Sequence, residues 1–371
     1  MQVSLFSLIL FVSVHQYALP SQITCNSVGF NKSSSSCFQI YDKKFQSILG
    51  AKPVLKLLAK RNYAFAHEGP VWLPQTNSVL FVSNRQGNLA TSDQWIDIYT
   101  INLESGFVKN ITEKISRLTG HNHFMANGGT GNYQKKSIIL CSQGYRLHGG
   151  SIFEITNKFD RVLLTVKQYN NLTFNSPNDV VISHKDKSVW FTDPEYGFFQ
   201  NFRYGKPQLG NNVYRVDIDG NIQILIDNLS RPNGIAFNPD ETIVYVTDTG
   251  YAVGNGSLDS NVKRAIYSYE IYRHEYKPIH LYNKRLFAIV DAGIPDGIKI
   301  DQNGHVYVGC GDGVEVFGAN GKLLGKIIPP NSTSGVSNLV LANKKLVLLA
   351  ETEIWTVDLQ CQKCGTTLTQ Y

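Results

Sequence analysis

One short plan recurs along this 371-residue chain and leaves little freedom in how it folds. Pro295-Asp296-Gly297-Ile298-Lys299-Ile300 reads as a tight corner running into an alternating apolar strand. The turn Asp301-Gln302-Asn303-Gly304 then leads into a second strand, His305-Val306-Tyr307-Val308-Gly309-Cys310. The same plan appears at Pro177-Asn178-Asp179-Val180, ahead of Val189-Trp190-Phe191-Thr192-Asp193, and at Pro232-Asn233-Gly234-Ile235, ahead of Ile243-Val244-Tyr245-Val246-Thr247-Asp248. Weaker copies begin at Glu68-Gly69-Pro70, Asn127-Gly128-Gly129 and Asn338-Leu339-Val340.

The corner residues Glu68, Asn127, Asn178, Asn233, Asp296 and Asn338 are separated by 59, 51, 55, 63 and 42 residues. Six units of that length, each holding several short strands, predict an all-β fold, a six-bladed β-propeller. Further strands are expected at 95–102, 150–155, 213–217, 264–271 and 314–318. Only three strands follow Asn338, so the last blade needs a strand from elsewhere to cover its edge, and Pro53-Val54-Leu55-Lys56-Leu57-Leu58-Ala59 is the expected closing N-terminal strand. In such a ring the six corners face one central channel, and every one carries a side-chain oxygen.

Composition agrees with this architecture and excludes others. With 42% hydrophobic residues the chain can bury a large core, and its 31 glycines suit many turns. The net charge is +6, but no basic run exceeds two residues, which argues against nucleic acid as a partner. Leu5 to Val14 is apolar but too short to span a bilayer. It is followed by Ala18-Leu19-Pro20-Ser21, so residues 1–20 are expected to be a signal peptide rather than a membrane anchor. Residues 21–50 read as a polar N-terminal extension without periodicity, and 51–371 as the propeller domain. Sequons at Asn31, Asn110, Asn171, Asn228, Asn255 and Asn331 fit a secreted glycoprotein. Cys25 and Cys37 in the extension and Cys361 and Cys364 in the C-terminal tail are expected to form two disulfides, whose connectivity spacing does not fix; Cys141 and Cys310 fall within strand patterns as buried thiols. The sequence sets no oligomeric state.

Chemistry follows from what the corners offer together. Glu68, Asn178, Asn233 and Asp296 would bring two carboxylates and two amide carbonyls to the axis, a hard-oxygen donor set suited first to Ca2+, with Mg2+, Mn2+ or Zn2+ as alternatives. Such an ion polarises a carbonyl or phosphoryl oxygen, and a neighbouring carboxylate can move the proton; Asp296 is the favoured acid/base. A single Pro-Asn-Gly corner is better explained as an Asx turn, but turn chemistry gives no reason for recurrence in every blade. Asn338, followed by Leu rather than Gly, is the corner most readily read as structural, and Asn127 as a rim or supporting group. Asp179, Asp193 and Asp248 could support ligands or cap turns. No Gly-x-Ser-x-Gly elbow is present, and Gly128-Gly129-Thr130-Gly131 lacks the lysine of a phosphate loop.

The motifs His67-Glu68-Gly69-Pro70-Val71-Trp72, Ser176-Pro177-Asn178-Asp179, Thr192-Asp193-Pro194-Glu195-Tyr196-Gly197, Arg231-Pro232-Asn233-Gly234 and Ile294-Pro295-Asp296-Gly297 resemble those of the gluconolactonase family, also called regucalcin-like, with secreted fungal lactonohydrolases nearest. The resemblance spans about residues 53 to 358. It implies a metal-dependent hydrolase that opens lactones of sugar acids or related small hydroxy acids. The implied metal ligands are Glu68, Asn233 and Asp296, with Asn178 a fourth ligand or a substrate contact, and Asp296 the acid/base. Departures at Asn127-Gly128-Gly129-Thr130-Gly131-Asn132 and Tyr145-Arg146-Leu147-His148-Gly149 are expected to line the substrate mouth, which makes Asn127 and His148 candidate substrate contacts; His121 and His123 are further pocket candidates. A same-fold Ca2+-dependent phosphotriesterase and a secreted binding propeller with a structural metal are the alternatives.

Overall fold

A computed structural model describes residues 23–30, 36–274, 277–330 and 334–364. The expected signal peptide and the sequons at Asn31 and Asn331 lie outside the described residues; Asn110, Asn171, Asn228 and Asn255 are exposed.

Six antiparallel sheets follow one another along the chain, each built on four strands. The first blade comprises Glu68–Leu73, Ser78–Val82, Ile98–Asn102 and Val108–Asn110. The second comprises Ala126–Asn132, Ser137–Ser142, Ser151–Thr156 and Val162–Val166. Val180–Ile182, Val189–Asp193, Asn212–Val216 and Ile222–Ile226 make the third. Pro232–Phe237, Ile243–Asp248, Ala265–His274 and Lys277–Ile289 make the fourth. The fifth runs Ile298–Ile300, Val306–Cys310, Gly313–Phe317 and Leu323–Ile327. In the sixth, Asn338–Ala342, Lys345–Ala350 and Glu353–Asp358 are completed by Leu55–Lys60, antiparallel to Glu353–Asp358, which closes the ring as expected. The further strands expected at 95–102, 150–155, 213–217, 264–271 and 314–318 are the third strands of blades one to five. A fourth lies outside each, and the apolar pattern does not single it out where its side chains are only partly buried, as in Val162–Val166 with exposed Leu163 and Leu164.

Strand alternation distributes the core. Successive side chains point to opposite faces of a blade, and in a ring both faces are covered by neighbours. In Ser78–Val82, Val79 and Phe81 pack toward the sixth blade with Val347 and Leu349, while Leu80 and Val82 pack toward the second with Ile138 and Leu140. Six hydrophobic clusters result, one at each blade interface.

The segment before the closing strand is also built into the ring. Phe38–Ile40 adds to the fifth blade beside Leu323–Ile327, Val28–Phe30 pairs parallel to it, and Thr24–Cys25 pairs with Leu55–Lys60 on the sixth. A helix, Lys43–Leu49, starts where the Asp42 carboxylate accepts from Lys44 N at 2.8 Å and stops at Gly50. It buries Phe45, Ile48 and Leu49 in the core shared by blades five and six. Disulfides join Cys25 to Cys37 and Cys361 to Cys364, so both bridges stay within their own terminus; Cys141 and Cys310 are free and buried. Among the described residues no helix is long and apolar enough to cross a membrane.

Around the axis the corners are stitched to one another. Thr192 Oγ1 accepts from Asp179 N at 3.0 Å and donates to Asn233 O of the next blade at 2.7 Å. Thr247 Oγ1 repeats this, accepting from Gly234 N at 2.7 Å and donating to Asp296 O at 2.8 Å. Gly128 N donates to Asn178 O at 2.6 Å, Gly297 N to Ser337 O at 2.8 Å, and Ser337 Oγ to His67 O at 2.7 Å. The glycine that follows the first, second and fourth corners is required by this approach. A Cβ at Gly69, Gly128 or Gly234 would lie 2.3, 2.3 or 2.5 Å from a carbonyl oxygen of the next blade's corner. Gly234→Ala is therefore expected to push the fourth and fifth corners apart, at a cost of about 1–3 kcal/mol. Urea denaturation checks this, and an unchanged midpoint would contradict the close contact.

Candidate active site

The corners owe their inward aim to irregular strand starts. Register shifts fall between Glu68 and Val71, Ala126 and Gly129, and Pro232 and Ile235, so the first strand of each of these blades bulges where the corner side chain turns into the channel. Two carboxylates hold the approaching loops. Asp193 accepts from Asn175 N at 2.9 Å and Ser176 N at 2.8 Å, and Asp248 from Ser230 N at 2.9 Å and Arg231 N at 2.8 Å, each just ahead of a Pro-Asn corner. Asp179 accepts from Val180 N and, across the blade boundary, from Ile235 N at 3.2 Å, with Lys299 Nζ at 3.7 Å. All three thus fasten backbone.

Glu68, Asn127, Asn178, Asn233 and Asp296 line one open cavity of about 200 Å³, together with His67, Asn84, Arg85, Gln143, Tyr196 and Gln200. The Oδ1 atoms of Asn127, Asn178 and Asn233 are buried and have no hydrogen-bond partner. An unmatched buried carbonyl oxygen costs about 1–3 kcal/mol, and three in one cavity is a large burden unless a ligand meets them. Asn338 differs: its Nδ2 donates to Glu68 Oε2 at 2.6 Å and its Oδ1 accepts from Leu339 N at 2.7 Å, so it orients Glu68.

The electrostatics carry the same message. Burial, followed by the charge of Asp296, raises the Glu68 carboxyl to about 8, against the opposing pull of His67. Burial raises Asp296 to about 6, with His67 and a hydrogen bond from Asn233 working the other way. His67 loses from burial, but the Glu351 carboxylate on its Nδ1 at 2.6 Å, helped by Glu68 and Asp296, lifts it to about 9. Glu351 in turn accepts from Asn84 Nδ2 at 3.1 Å. His67, Glu68 and Asp296 each offer an atom within 4.8 Å of the others. Two carboxylates that resist ionising together, facing three unpartnered amide oxygens, match a hard divalent cation in donor chemistry.

Other expected contacts lie elsewhere. His148 is exposed in a turn where its backbone N–H donates to Tyr145 O at 2.9 Å, and it is not among the residues lining the cavity. His123 stacks on Tyr145 at 4.3 Å between ring centroids, and His121 packs edge-on against Phe153 at 5.5 Å. Of the Tyr145–Gly149 stretch, Leu147 lines a separate cavity of about 230 Å³ with Thr173 and Arg203. The sequence reading did not reach Arg85, Gln143, Gln200 or Glu351, which come from loops between blade strands. His67 and Tyr196 stood within quoted motifs, beside Glu68 and after Asp193-Pro194-Glu195, and position in those motifs was the signal for them.

Comparison with known proteins accords with this arrangement. A gluconolactonase from Zymomonas mobilis is 32% identical over 287 residues, covering 75% of this chain and 73% of that protein. The lactonohydrolase oryL of Aspergillus oryzae is 26% identical over 336 residues, covering 84% and 70%. The solved structure of a gluconolactonase from Xanthomonas campestris superposes with a TM-score of 0.68 at 26% identity, covering 92% of this chain and 98% of the other. The family model described as SMP-30/Gluconolactonase/LRE-like region matches residues 66–350, and the chain belongs to that family.

Proposed function

We propose that this protein is a metal-dependent lactonase that hydrolyses lactones of sugar acids or related small hydroxy acids. The observation that carries the reading is the convergence of three unpartnered amide oxygens and two carboxylates on an open cavity. Glu68, Asn178, Asn233 and Asp296 would hold the ion, with Ca2+ the best match to their oxygens and Asn127 reaching the same space. A divalent ion bound there supplies Lewis acidity toward an ester carbonyl and acidifies water.

The chain's own groups account for the proton traffic. Asp296, which lines the cavity, can in its ionised form take a proton from the attacking water. It returns that proton to the ring oxygen as the acyl–oxygen bond breaks, so that water adds across one C–O bond and a hydroxy acid leaves. His67, fixed by Glu351, places a positive imidazolium beside this carboxylate and favours its ionised form. The Tyr196 hydroxyl bonds to Thr249 Oγ1, which holds the ring against the cavity wall. Secretion belongs to the same proposal, supported by bridged cysteine pairs near both ends of the chain.

Hydrolysis of glucono-, galactono- and pantolactone in a pH-stat tests the reading. Activity is expected to vanish on chelation, return with Ca2+, and fall at least about a hundredfold in Asp296→Asn. Binding of Ca2+ with a raised melting temperature but no lactone opened would instead favour a structural metal, and turnover of a phosphotriester the alternative hydrolase.

Stability of the chelated protein carries a second expectation. The folded-state values of Glu68, about 8, and Asp296, about 6, lie above their ordinary ones, so the stability they contribute is full below about pH 4 and is lost as pH rises through 6 to 8. Chelated protein should therefore melt progressively lower between about pH 5 and about pH 8, and the increment from added Ca2+ should widen over the same span. Thermal melts across that range, with and without Ca2+, check both.

A further inference from the structure

Guanidinium groups drawn into the body of this protein are mostly charge-compensated. Arg215 meets Asp186 at 3.2 Å, Arg231 lies 3.8 Å from Glu195, Arg273 lies 3.5 Å from Glu241, and Arg203 sits in the field of Asp193. Arg85 differs. It is half-buried in the wall of the central cavity, and burial alone depresses its pKa, with no carboxylate contributing. Glu68 and Asp296 line the same cavity but do not pair with it.

Its pose is nevertheless fixed. Nη1 donates to Gln94 Oε1 at 2.9 Å and to Gln200 O at 3.4 Å. Gln94 is fully buried, and its amide donates to the carbonyls of Thr91, Leu89 and Gln200, which locks the oxygen that Arg85 uses. The ribbon of Gln86–Gly87 and Gln94–Trp95 holds both residues at the blade's inner end. Among the described residues Nε and Nη2 donate to nothing, leaving free the edge of the guanidinium that takes a carboxylate in a two-pronged grip. A half-buried, uncompensated, immobilised cation is costly unless an anion arrives to meet it.

We propose that Arg85 binds a carboxylate carried by the substrate, so that the preferred lactones are those of sugar diacids or other small lactones bearing a free carboxylate. The inference rests on the lactonase reading. Arg85 then selects among lactones while the corner residues act on the ring ester.

The test pairs a neutral lactone, D-glucono-1,5-lactone, with an acidic one, D-glucaro-1,4-lactone, on Ca2+-loaded wild type, Arg85→Gln and Arg85→Lys. Wild type should prefer the acidic lactone in kcat/KM, and the ratio of acidic to neutral should drop at least tenfold in Arg85→Gln, mainly through KM, with Arg85→Lys between them. Melting temperatures identify a variant that fails to fold, in which case Arg85→Lys alone decides. A parallel calorimetric titration with D-glucarate reads binding without turnover. Glucarate bound by wild type and not by Arg85→Gln supports Arg85 even if no lactone is opened, an outcome that sinks only the lactonase reading. Wild type that shows no preference for the acidic lactone, or equal losses on both lactones in the variants, overturns the proposal.

Discussion

The close approach of successive blade corners around the axis is the constraint on which the rest depends. Successive corners meet through Thr192, Thr247 and Ser337 hydroxyls or directly from Gly128 and Gly297, and at Gly69, Gly128 and Gly234 there is no room for a side chain. Position is thereby transmitted around the ring. The cavity residues come from blades that are far apart in sequence, yet their spacing is set by short backbone contacts rather than by long flexible side chains, the condition under which a site can be held to a fraction of an ångström.

That rigidity permits an electrostatic arrangement the protein could not otherwise sustain. Like charges at Glu68 and Asp296 oppose each other in a buried setting, and three amide oxygens remain unmatched. Compensation within the chain is incomplete: His67 with Glu351 on one side and Lys299 with Asp179 on another bring countercharge without closing the cavity. What is left uncompensated is a set of hard oxygen donors, and any ligand that meets them would couple the stability of the fold to the chemistry of the site.

Much of this was legible in the residues. Corners announce themselves because turn chemistry, an oxygen-bearing side chain and an alternating strand recur together, and the need to close the last blade pointed to residues 53 to 59, where Leu55–Lys60 is found. Phe38–Ile40 was not legible because three residues carry no period; its strand exists through pairing with Leu323–Ile327. His148 stood in a distinctive loop, but composition does not reveal which way a loop folds, and it faces solvent. Arg85 lines the cavity and Glu351 fixes His67 there, both from loops between strands, where tertiary geometry alone decides what meets what.

The closing strand has a consequence for biogenesis. Leu55–Lys60 is synthesised about 300 residues ahead of its partner, Glu353–Asp358. Until that partner is made the sixth blade does not exist, and the first five must wait as an open arc with an unpaired sheet face at each end. The N-terminal strands and the Cys25–Cys37 bridge lie on the sixth blade, which contains this seam, and on the fifth beside it. The risk of misassembly is therefore greatest at ring closure, where two segments remote in sequence must meet.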